Sequence, residues 1–203
     1  MWGAFTPAGD RIVTACASGR IQVFDAGGKP GSVMPTDYDT LYALAMSPDG
    51  TTVATGHGDG RVRLWRVPDL SPVRTIVAHR GPVHSVSFSH DGKRIASSGE
   101  AGDARIVDVA TGDLVLSVAP SAGGRARQVL TSRDDRRLIV RTEFATHLYA
   151  IGEDELVAIA CEDIRHVQTW PEVSTDRRAA LVRRCDDHVA RHPAPHRAPP
   201  PKD

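Results

Sequence analysis

The sequence predicts an all-β chain built from tandem four-stranded units, and three observations carry that prediction. The stretch "SPDGTTVATGHGDGRVRLW" (47–65) lies on similar stretches 41 residues before it and 42 after it. Each copy alternates short runs rich in β-branched residues with turns of Gly, Pro, Asp and Ser. No stretch sustains a 3.6-residue apolar period with a cap at each end.

The copies share one grammar. An apolar residue (Phe5, Met46, Phe88) precedes a short turn, "TPAG", "SPDG" or "SHDG". In the first two, Pro at the second position presets φ, and Gly closes all three. A strand of small residues follows ("RIVTAC", "TVATG", "RIASS"), then a Gly-containing turn, then a strand ending on Phe24, Trp65 or Val107. The last residue lies 19 positions after the first in each copy. The same separation places Leu130 with Tyr149, and Val173 with His192, in two weaker copies. The segment "GEDELVAIACEDI" (152–164) fits an outer strand, with a short helix as the alternative. The tail 193–203 is too rich in proline to donate ladder hydrogen bonds and reads as a solvated, disordered segment.

Composition narrows the function classes. Lys plus Arg number 25 and Asp plus Glu number 25, so the chain as a whole has no electrostatic footprint for nucleic acid or anionic lipid. The start, "MWGAFTPAGDR", shows no basic segment followed by an apolar run, and no apolar stretch reaches membrane-helix length. The expected location is the cytoplasm. Cys16, Cys161 and Cys185 lie far apart and form no CxxC pair.

A phosphate loop needs its glycines between a strand and a helix N-terminus, but "GHGDG" (56–60) leads into the strand "RVRLW" with no lysine. His188, His192 and His196 recur every fourth residue, but Pro193 and Pro195 would break the helix that could gather them on a metal. Ser85, Ser87 and Ser89 share one strand face while His84 points to the other, and no nucleophile elbow is present. No catalytic, cofactor or metal residues are expected.

A period near 42, a turn such as "SPDG" and a strand ending on Trp65 resemble the tryptophan–aspartate (WD) repeat β-propellers, in a bacterial and truncated form. The resemblance implies four full blades, about 1–36, 40–78, 82–119 and 125–161, plus a partial fifth at 166–192, hence an incomplete or open ring. It implies a buried His–Ser/Thr–Trp–Asp network in each blade. Blade two offers Asp59 and Trp65 but has Asp37 where the His belongs; blade three has His79 but Ala101 and Val107 elsewhere, so no blade is expected to be complete. It also implies a rim of loops carrying Asp37, Tyr38, His57, Asp59, His79, Arg80, Glu100 and Arg125. Mixed charge with one aromatic suits another protein or peptide better than a phosphate backbone. The expected function is a non-enzymatic interaction scaffold without cofactor, binding neither nucleic acid nor membrane. Self-association through uncovered blade faces is a further expectation. The alternatives are a propeller enzyme with a metal or cofactor in its channel, which the apolar Leu41, Leu44, Val83 and Val86 disfavour, and a fragment of a longer repeat protein.

Overall fold

The computed structural model describes residues 2–34, 40–120 and 124–151. Blade five, the 152–164 segment, the tail, and Asp37 and Tyr38 of the expected rim lie outside the described residues. The chain divides into two compact units, Met1–Tyr149 and Ala150–Asp203. Its described elements are all strands, and no helix among the described residues is long and apolar enough to cross a membrane.

Four consecutive antiparallel sheets form, each a simple meander. Blade one holds β1 (Trp2–Phe5), β2 (Arg11–Ala15), β3 (Ile21–Asp25) and β4 (Pro30–Met34). Blade two holds β5 (Leu41–Met46), β6 (Thr52–His57), β7 (Arg61–Arg66) and β8 (Pro72–Val77). Blade three holds β9 (Val83–Phe88), β10 (Arg94–Gly99), β11 (Ala104–Asp108) and β12 (Leu114–Val118). Blade four holds the described strands β13 (Ala126–Thr131), β14 (Arg137–Thr142) and β15 (Thr146–Ala150).

The turn after each first strand is closed by one recurring backbone bond. It runs from the amide of Thr6, Ser47, Ser89 or Ser132 to the carbonyl of Arg11, Thr52, Arg94 or Arg137, at 2.8–3.0 Å. The residue three further on needs positive φ, supplied by Gly9, Gly50 and Gly92 at 71–72°. In blade four Asp135 takes that position at φ 56°. This corrects the expected register of blade four: the residue equivalent to Phe5, Met46 and Phe88 is Thr131, one place after Leu130.

Successive blades pack face to face. Val13, Ala15, Ile21, Val23 and Met34 of blade one form a core with Leu41, Val53 and Trp65 of blade two. Ala43, Ala54, Val62, Leu64 and Ile76 of blade two form the next with Phe88, Ile95 and Val107 of blade three. Burying each large aliphatic side chain contributes about 1.5–3 kcal/mol. Blade four is tied to blade three by Thr131 Oγ1 donating to the Phe88 carbonyl (2.9 Å) and the Val129 amide donating to Ser85 Oγ (3.2 Å). The first strands adjoin in chain order, β1 beside β5, β5 beside β9 and β9 beside β13, and none of the described sheets closes on itself.

Candidate functional site

The turns between second and third strands, and the connections from one blade to the next, form the edge on which the expected rim residues fall. In blade two this edge is held tightly. The Gly60 carbonyl accepts from the amides of Ala78 (3.1 Å) and His79 (2.9 Å). A Cβ at Gly60, where φ is 80°, would sit 2.1 Å from the His79 carbonyl oxygen. Only glycine allows the turn and the connection to approach so closely.

The two rim histidines are interior groups. His57 is fully buried, and its Nε2 lies 2.8 Å from Thr55 Oγ1, which also receives the Trp65 indole N–H at 2.8 Å. His79 is 4% exposed, with Nδ1 3.1 Å from Asp103 and Nε2 3.0 Å from Ser97 Oγ. Because a carboxylate only accepts, Nδ1 carries the ring proton, leaving Nε2 to accept from the Ser97 hydroxyl. Burial lowers the His79 pKa and outweighs the opposing pull of Asp103, so the ring is neutral at pH 7.

These contacts correct the expected internal networks. Blade three's acid is Asp103, two places after Ala101 and beyond Gly102. Asp103 is held in turn by Arg105 Nε (2.9 Å), whose guanidinium also donates to the Ala78 carbonyl (2.7 Å). Blade three thus has His, Ser and Asp, with Val107 where a Trp would complete the set. Blade two has Trp65 and Thr55, and His57 reaches the hydroxyl from within the same strand.

Of the remaining described rim residues, Arg80 and Arg125 are exposed and Asp59 and Glu100 are half-buried. Asp59 accepts from Arg61 (2.9 Å) and Arg63 (2.5 Å). Burial works against its charge, but these guanidinium bonds prevail and hold its carboxyl well below the usual carboxylate range. Arg125 Nε lies 2.6 Å from Glu100, whose other oxygen takes His84 Nε2. The His84 bond is the main cause of a lowered Glu100 pKa; burial opposes it, and the Arg125 charge adds to it. Tyr42 meets His84 edge to face, with ring centroids 5.6 Å apart. The structure therefore brings Glu100 and Arg125 together and adds Tyr42 and His84 beside them. Tyr42 and His84 each lie four residues before their pre-turn position, so the repeat register could have paired them from sequence. Near the opposite ends of the inner strands, Met46, Phe88, His90, Leu130 and Arg133 help line a cavity of about 470 Å³.

Residues 28–66 and 70–108 each match the family model "WD domain, G-beta repeat". These two segments, under half of the chain, are similar to WD repeats. The chain is 30% identical over 124 residues to autophagy-related protein 16 of Arabidopsis thaliana, covering 59% of the chain and 24% of that protein. It is 30% identical over 116 residues to THO complex subunit 3 of the same plant, covering 57% and 37%. A WD repeat-containing protein of Synechocystis sp. is 33% identical over 128 residues, covering 62% and 36%. The chain thus spans about a quarter to somewhat over a third of the length of these relatives.

Proposed function

We propose that this WD chain is a non-catalytic, cytoplasmic scaffold of bacterial type that presents its loop rim to another protein or peptide. The observation that carries the reading is the division of labour at the rim. His57 and His79 are buried in hydrogen-bonded networks that fix the loops, while Arg80, Arg125 and Glu100 are held out on that fixed frame. A preorganised, mixed-charge surface suits recognition of a complementary protein surface. Relatives named as a subunit of a complex and as an autophagy-related protein support the same reading.

Arg80→Ala and Arg125→Ala should each weaken capture of whichever partner the wild-type chain retains, with melting unchanged. Identical pull-down profiles for wild type and both variants would remove the rim from consideration.

A further inference from the structure

The cavity near the turn ends of β5, β9 and β13 is built from one set of repeat positions taken three times. Met46, Phe88 and Thr131 stand just before the turn, and Ala45, Ser87 and Leu130 precede them. Pro48, His90 and Arg133 each stand two places after the pre-turn residue. Ala45 and Ser87 are small and leave a hollow, beside which Leu130 is 46% exposed. Its volume of about 470 Å³ falls within the range of sites for small organic molecules. Ala45, Met46, Val86, Phe88 and Leu130 make most of the lining apolar.

The walls are fixed because the turns stack on one another. A Cβ at Gly50 would lie 2.9 Å from the Pro7 ring of the preceding turn, and one at Gly92 would lie 3.7 Å from the Pro48 ring. Thr131 donates to the Phe88 carbonyl, and in blade four Asp135 accepts the His90 and Asp91 amides of the preceding turn at 2.6 and 2.8 Å. The groups at the mouth differ in their commitments. Arg133 and His90 are exposed, and among the described residues neither side chain has a hydrogen-bond or ion-pair partner. The carboxylates of the same turns are all engaged. Asp49 accepts from Ser47 and the Thr51 amide, Asp91 from Ser89 and the Lys93 amide, and Asp134 from Ser132 and the Arg136 amide. Among the described residues no carboxylate lines the cavity.

We propose that this cavity binds a small organic carboxylate with an apolar body. The body lies against Met46, Phe88 and Leu130, and the carboxylate meets Arg133, with His90 as a second donor. The planar guanidinium can reach both carboxylate oxygens at once. Because Arg133 stands at the solvent-exposed mouth, the carboxylate keeps part of its hydration and avoids the cost of full burial. A cationic ligand would meet like charge there, and an uncharged one would forgo the ion pair. The cavity lies at the other ends of the inner strands from the rim, so the inference is independent of the rim.

The test follows amide NMR shifts of the full isotope-labelled chain during titration with sodium octanoate, with octanol (same body, no charge) and with acetate (same charge, no body). Octanoate should shift the amides of 87–90 and 130–133 saturably, with a midpoint below about 5 mM. The octanol midpoint should be at least about threefold higher, and acetate should not saturate these shifts. Arg133→Gln should melt as the wild type does, raise the octanoate midpoint at least about threefold and leave that of octanol unchanged. Ser87→Leu, which fills the hollow, should weaken both ligands; should that variant not fold, Arg133→Gln decides. The proposal is overturned by a higher octanoate midpoint, by shifts confined to other residues, or by octanol or acetate matching octanoate. It is equally overturned if Arg133→Gln, or a folded Ser87→Leu chain, binds octanoate as the wild type does.

Discussion

Blades two and three solve the same structural problem with different parts. In blade two the hub is a hydroxyl: Thr55 takes the Trp65 indole and meets the His57 ring within one sheet. In blade three the hub is an imidazole: His79 reaches from the incoming connection to Ser97 in β10 and Asp103 in the turn. The first arrangement ties strands to each other. The second ties a loop to a sheet, and through Arg105 it ties that loop back to its own start at Ala78. Rigidity at the rim therefore does not require one complete set of four residues in each blade.

The comparison can be broken at the joint the two networks share. Gly60→Ala forces a methyl group into the His79 carbonyl at a left-handed φ, and it should destabilise the chain by about 4 kcal/mol in urea unfolding. A loss under 1 kcal/mol would mean that turn and connection are not locked together. Thr55→Val strips blade two of the buried hydroxyl that accepts from the Trp65 indole and meets the His57 ring, so a loss of about 2–3 kcal/mol is expected. Ser97→Ala removes only one arm of the His79 network and should cost about 1 kcal/mol. Equal losses for these two variants would refute the distinction between a hydroxyl hub and an imidazole hub.

The smallest effect is a pH dependence. The folded His79 pKa is depressed, so protons bind the unfolded chain more readily. This part of the stability is complete above the ordinary histidine value of 6.5 and declines as pH falls from there toward the folded value. Below the folded value the loss is complete and levels off. His79→Asn should flatten the wild-type curve in that window. Asp59, depressed in the carboxylate sense, acts only at more acid pH. Parallel curves for wild type and His79→Asn between pH 5 and 7 would contradict the neutral ring.

The strand order was legible because its signals are local: Pro and Gly turns at fixed spacing and β-branched runs between them. Register slipped by one residue in blade four, where Asp135 adopts the positive φ elsewhere taken by glycine and so hides the "DG" signal. The site was less legible. The repeat register points to Ala101 for the acid, whereas the carboxylate of Asp103, two residues on, reaches the imidazole. The burial of His79 could not be read from the loop it occupies; it depends on how closely Gly60 and Gly99 let neighbouring segments approach. His84 and Tyr42 meet only across two blades, a relation that reading each copy separately cannot reveal.

The stacked turns also govern how such a molecule can change in length. Pro7 beside Gly50, Pro48 beside Gly92 and the Asp135 carboxylate accepting the His90 and Asp91 amides couple neighbours at equivalent places. A genetic insertion of a few amino acids there would uncouple one neighbour from the next, whereas gain of an entire module recreates the same coupling on both sides. Growth or loss is thus permitted in quanta of one blade and penalised at every intermediate size.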